Sequence, residues 1–177
     1  YFDQNNHAVM VKDGYSIIKT QYDFRGNLVA GEYFDVNQQP VIAKSGYARW
    51  LKEFDKQGNL ISGKYLDTYG NPILASDGVA GFRFEYDARG NITSATTFGV
   101  DGRPKSYKNG AAIVRMKYDQ KGNMLVEYFF DTSEKPVKTT SGCAGKKYKY
   151  DRKGNVEEQI CLNTNHRLAL SMDGCAI

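Results

Sequence analysis

Tyr86-Asp87-Ala88-Arg89-Gly90-Asn91 is the stretch on which the reading of this chain turns. Variants of it stand at 22–27, 54–59, 118–123 and 150–155, each 32 residues from the next. The aspartate can hydrogen-bond its own backbone and open a type I turn, and the glycine tolerates the left-handed conformation that closes a hairpin. The stretch is therefore a hairpin tip in which Asp87 faces Asn91. Counting outward pairs Tyr86 with Ile92, Phe84 with Ser94, Phe82 with Thr96 and Ala80 with Phe98. Applied to the other copies, the same register pairs Tyr118 with Met124, Met116 with Val126, Trp50 with Lys64 and Ile18 with Glu32. Side chains alternate across a strand. One face then carries Tyr22, Phe54, Tyr86, Tyr118 and Tyr150, expected to stack as a buried aromatic ladder. The other carries Lys19, Gln21, Glu53, Arg83, Glu85, Arg115, Lys117, Lys147 and Lys149, and should meet water.

A second motif alternates with the first, reading YFDQNNHAV from Tyr1, YFDVNQQPV from Tyr33, YLDTYGNPI from Tyr65 and FFDTSEKPV from Phe129. A third landmark is a glycine at 14, 46, 78, 110, 142 and 174. All keep the 32-residue period without insertion or deletion, the signature of a quasi-one-dimensional array. Each copy divides into a long hairpin and a connector. In the second copy the connector is expected to hold a short strand over 41–44 and a corner at Gly46, followed by a long strand over 47–54. Pro40, Pro72, Pro104 and Pro136 open the connectors, where a missing N–H is harmless. The fold class is all-β: tandem 32-residue β-hairpin repeats forming an elongated twisted antiparallel sheet or a hairpin superhelix. The array spans 1–177, about five and a half copies. Residues 161–177 diverge, the stretch 161–168 lacking the Gly and Pro of its relatives, as a C-terminal cap would.

Composition agrees. The chain has 177 residues with 13 Tyr, 18 Gly and only 4 Pro, which fits a β protein with many tight turns. A net charge of +4, spread over solvent faces, argues against nucleic acid as a partner. No apolar run is long enough for a transmembrane segment. The chain begins at Tyr1 in phase with Tyr33, as a piece of a longer array or a mature chain would, and a signal peptide or anchor upstream stays open.

Chemistry-bearing residues are sparse. His7 and His166 sit in turns at opposite ends of the array and share no metal site. Asp-rich turns such as 67–71 offer one or two acids each, too few for calcium, which takes about six oxygens or more. A Cys161–His166 catalytic pair would need a positioned cleft. No enzyme, metal or cofactor is therefore expected. Cys143 and Cys161 lie diagonally on one face, so a disulfide between them is weighed against small buried thiols in a cap. Cys175 leaves the count odd. The candidate ligand-binding residues are a second aromatic stripe at the hairpin bases: Tyr33, Tyr65 and Phe129, placed opposite Ile17, Arg49 and Ile113. Aromatics beside an arginine suit sugar rings or a protein partner.

The pattern of 33–47 followed by 54–59, YFDxxxxPVxxxxGY…YDxxGN with Phe54 at the Tyr position, resembles tandem repeats of bacterial surface and secreted proteins. Its tip looks like the YD (RHS-type) repeat, and the hairpin-plus-connector layout is similar to cell-wall-binding and MORN-like repeats. This chain has one Trp, Trp50, whereas choline-binding repeats carry paired Trp cages. The resemblance implies a non-catalytic module of a bacterial cell-surface or extracellular protein that binds carbohydrate or cell-envelope polymer. The alternative is a protein–protein interaction scaffold or spacer.

Overall fold

The computed structural model describes residues 1, 4 and 7–169. It contains ten strands: β1 (Ile17–Tyr22), β2 (Leu28–Phe34), β3 (Arg49–Phe54), β4 (Leu60–Leu66), β5 (Gly81–Tyr86), β6 (Ile92–Phe98), β7 (Ile113–Tyr118), β8 (Met124–Phe130), β9 (Gly145–Tyr150) and β10 (Val156–Leu162). They follow chain order in one open antiparallel sheet, so each copy contributes one hairpin. Contacts divide the chain into two compact units, Tyr1–Arg83 with Phe98–Gly102, and Phe84–Thr97 with Arg103–Ile177.

The tips fold for the reason their residues suggest. At the third, Asp87 N–H donates to Asn91 O at 2.9 Å and Gly90 N–H to Asp87 O at 3.0 Å. Asp87 Oδ1 accepts the Arg89 and Asn91 backbone N–H groups at 2.9 Å, and Asn91 Nδ2 donates to Oδ2. Gly90 stands at φ 85°, a type I turn closed by a left-handed residue. The side-chain amide of Asn91, then its backbone N–H, hold the Asp87 carboxyl below its ordinary range. Asp23, Asp55, Asp119 and Asp151 are lowered in the same way, their Asn27, Asn59, Asn123 and Asn155 amides first.

Beyond the tip the register departs from simple counting. Tyr118 pairs with Met124 as expected, but Lys117 then pairs with Val126 and Met116 with Glu127. The first, second and fifth hairpins shift at the same place, so one residue (Val29, Ile61, Leu125 or Glu157) is extra. A β-bulge of this kind sends the rest of its strand to the opposite face. Trp50 therefore faces Tyr65 rather than Lys64, and Ile18 faces Tyr33 rather than Glu32. The bulge also carries Phe34, Leu66, Phe130 and Leu162 to the face of the charged residues, where they are buried. Lys19 lies 4.2 Å over the Phe34 ring and the Arg115 guanidinium 4.7 Å over Phe130. All nine polar and charged residues expected to meet water do so, several with their stems on buried rings.

The core is thus at the hairpin bases and not in the tip ladder. Tyr22 is 62% exposed, and Phe54, Tyr86, Tyr118 and Tyr150 are only half-buried. Tyr118 and Tyr150 spend their hydroxyls on the preceding hairpin, donating to Ile92 O and Met124 O. The most buried column is small: Ser16 and Ala48, with Ala80, Ala112 and Ala144. Ala48 shows why. Its N–H donates to Leu66 O and its carbonyl accepts from Tyr33 N–H, so the backbones of neighbouring hairpins converge on a methyl group.

The connectors stack directly. The short strand expected over 41–44 is instead a single Phe34–Pro40 bridge followed by a turn in which Gly46 N–H donates to Ala43 O. Successive turns bond to one another: Lys44 N–H to Asp13 O, Ser76 N–H to Ser45 O and Thr140 N–H to Asn109 O. Tips are clipped as well, Arg25 donating to Asp55 O and Lys56 O. At the C-terminal end Asn163 caps a turn and Leu162 bridges Leu168. The remainder of the expected cap, with Gly174 and Cys175, lies outside the described residues.

Candidate functional site

The bulge that moved Phe34 away put Tyr33 and Tyr65 on the face of Ile18 and Trp50. The connector glycines Gly14 and Gly46 each deliver the following tyrosine to the same place. In the first unit the rings form a run. Tyr1 meets Tyr15 edge-on at 5.9 Å, Tyr15 and Tyr33 lie 4.6 Å apart, and Tyr33 and Tyr47 lie 5.9 Å apart. Tyr47 stacks on Tyr65 at 4.6 Å and 14°, and Tyr65 reaches Phe82 at 6.4 Å. Offset and tilted pairs at these distances add to simple burial.

Beside the run is a groove of about 410 Å³, within the range of small-ligand sites. Ile18, Tyr33, Tyr47, Trp50, Tyr65 and Phe82 line it, with Lys52 at its edge. The Trp50 ring lies flat over Gly31. A Cβ on that glycine would stand 2.4 Å from Trp50 Cζ2, and Gly63 holds Phe82 in the same way. Lys52 Nζ sits 4.7 Å from the Trp50 ring centroid. Burial first, and the neighbouring Tyr47 second, push the Tyr33 hydroxyl up to about 12, so it stays protonated and able to donate.

Of the stripe expected from sequence, Tyr33 and Tyr65 come together here. Phe129 does not join them: it belongs to the second unit, pairs with Val114 and is 5% exposed. Arg49 stands on the opposite face, paired with Glu32 and Leu66, because the bulge puts Trp50 opposite Tyr65. Tyr15, Tyr47, Trp50 and Phe82 were missed. The signal for two of them was present as Gly14-Tyr15 and Gly46-Tyr47, each tyrosine 18 residues before the next stripe residue. Cys143 and Cys161 have the same separation and occupy the columns of Tyr47 and Tyr65. They form a disulfide with Cα atoms 5.3 Å apart, so the last copy closes covalently the contact that earlier copies close by ring stacking.

Among the described residues no group of three or more His, Cys, Asp or Glu is placed to hold a metal ion. Among the described residues no helix is long and apolar enough to cross a membrane.

No family model matches the chain, and no curated protein matches it. Among solved structures the chain is similar to a crystal structure of TcdB2-TccC3, at TM-score 0.50 and 15% identity over 90% of this chain. A crystal structure of TcdB2-TccC3 without its hypervariable C-terminal region matches 87% of this chain at 14% identity and TM-score 0.41. The chain spans only 8% of the length of either neighbour. The first likeness is one of fold alone.

Proposed function

We propose that this chain is a non-catalytic repeat module of a bacterial surface or secreted protein, and that its first unit binds a linear carbohydrate or envelope polymer along the tyrosine run. The observation that carries the reading is the run itself, Tyr15–Tyr33–Tyr47–Tyr65, beside a groove floored by Trp50. Successive hairpins are two strands apart, about 9.6 Å, comparable to a disaccharide. A polymer lying across the strands would therefore meet equivalent groups at equivalent intervals. The tyrosines use their faces on one another, so the ligand meets ring edges, hydroxyls and the Lys52 ammonium. The groups with perturbed acidity are turn aspartates that cap backbone N–H groups and tyrosines packed in the sheet, which is the work of a scaffold.

Retention of the chain on insoluble cell-wall material and on a panel of polysaccharides tests this, beside a Tyr33→Ala/Tyr65→Ala variant. Retention that the variant loses supports the reading. Equal retention of both removes the tyrosine run as the site. A protein partner is the second reading, favoured because Phe129, a counterpart of Tyr33 and Tyr65 in the second unit, is buried. Capture of no polymer by a well-folded chain would favour it.

A further inference from the structure

The second unit presents a different surface. Over 84–97 and 103–169 it holds 15 Lys and Arg against 9 Asp and Glu, whereas the first unit, 1–83 with 98–102, holds 9 against 10. The modest overall charge conceals this asymmetry, and the sheet register gathers part of the surplus on one face. Lys117 on β7 pairs with Val126 on β8, and Val126 pairs with Lys147 on β9, so the two lysines stand in one cross-strand row. Both are exposed, and neither has an ion-pair partner among the described residues. Two inter-strand steps separate them by about 9.6 Å. Arg115 and Lys149 flank the row on the same face. Two of the nearby acids are already engaged: Glu134 holds Arg115 and Glu158 holds Lys149. Glu127 lies on the opposite face, beside Lys146 and the Tyr148 hydroxyl. Between the lysines the floor is Val126, with Tyr128 in the next row.

We propose that this face of β7–β9 binds a linear acidic polysaccharide, with Lys117 and Lys147 each meeting one carboxylate or sulfate and the sugar between them lying over Val126. This site is independent of the tyrosine run in the first unit. Two features favour a glycan over nucleic acid. The lysines repeat at the hairpin interval, which suits a polymer bearing one charge per disaccharide. A nucleic acid strand presents a phosphate about every 3.4 Å, so most of its charges would find no cation in this row. Between the lysines the floor is also aliphatic, and the Tyr128 ring in the next row is half-buried and packed edge-on to His166 at 4.5 Å, unlike the open aromatic platforms on which unpaired bases stack.

The test uses the full chain, with hyaluronan as a probe that carries one carboxylate per disaccharide and dextran as a neutral control. Binding is measured at physiological salt for the wild type, for Lys117→Gln/Lys147→Gln and for Tyr33→Ala/Tyr65→Ala, each checked for fold by circular dichroism. The expected result is hyaluronan binding that weakens about tenfold in the lysine variant, the effect of two exposed ion contacts. Binding should fall with added salt and be unchanged in the tyrosine variant. Three outcomes overturn the proposal: no hyaluronan binding by the wild type, equal affinity in the lysine variant, or affinity for single-stranded DNA as high as for hyaluronan. Loss of neutral-glycan retention in the tyrosine variant alone would bear on the first unit and leave this outcome separate.

Discussion

Gly31→Ala is a one-carbon change that interrogates the packing beneath the candidate groove. The added Cβ would stand 2.4–2.7 Å from three atoms of the Trp50 indole, so the ring must lift or the strands must part. Overpacking of this kind costs about 1–3 kcal/mol. Replacing a strand glycine returns about 0.5–1 kcal/mol of backbone entropy, leaving a net loss of about 1–2 kcal/mol. The chain itself contains the relief. In the third copy the equivalent residue is Ala95, and its cross-strand neighbour is Val114 where the first pairing has Trp50. Trp50→Val alone should cost about 3 kcal/mol, because it empties a site now filled by a buried ring. In that background Gly31→Ala should be neutral or stabilising, a coupling of at least about 1 kcal/mol. Urea denaturation of all four proteins, followed by circular dichroism, reads the cycle. A cost for Gly31→Ala that is the same with Trp50 and with Val at position 50 would refute ring-on-glycine packing, as would no cost in the wild type.

Other outcomes follow from single sites. Ser16 is fully buried with its Oγ unsatisfied, in a column that is otherwise alanine. Ser16→Ala should therefore stabilise by about 1–2 kcal/mol, and a lower denaturation midpoint would show the hydroxyl is satisfied. Gly46 stands at φ 89° with the space for a Cβ only 2.6 Å from Ser76 N. Gly46→Ala should cost about 2 kcal/mol or more, while Gln38→Gly, which relieves a left-handed glutamine at φ 62°, should raise the midpoint of thermal unfolding. The tip aspartates have folded pKa values lowered from 3.8, so their contribution is complete above the unfolded value and is lost as pH falls through the folded one. Thermal stability should be level near neutrality and drop below pH ~4. Asp87→Asn/Asp119→Asn should show a shallower drop, and an unchanged acid profile would contradict the capping account.

Much of this architecture was legible in the chain because turns are local. Asp87, Gly90 and Asn91 specify their tip without reference to anything distant, and an unbroken period of 32 carries that tip through five hairpins. The bulge was not legible. Val29, Ile61, Leu125 and Glu157 share no residue type, and what selects the extra residue is how the strand leaves the turn, not its side chain. That single shift exchanged the partners of Trp50 and Tyr65, moved Arg49 off the candidate site and put the core at the bases. The tyrosine run was half visible: Tyr33 and Tyr65 stand in a motif, while Tyr15 and Tyr47 follow connector glycines whose direction depends on one turn bonding to the next. The lysine row was hidden for a similar reason. Lys117 and Lys147 lie on different hairpins and align only through the pairing of Val126 with both.

Trp50 offers the most direct measurement of the central claim, because the one tryptophan of the chain floors the groove beside the tyrosine run. Titration of the intact chain with soluble fragments of whichever polymer retains it, followed by tryptophan fluorescence, reads occupancy of that groove. The account predicts a saturable change whose midpoint falls as the fragments lengthen from one hairpin interval to two, and whose amplitude vanishes in Tyr33→Ala/Tyr65→Ala. Retention of the polymer with no response from Trp50 at saturation would contradict it and place the binding surface elsewhere on the chain.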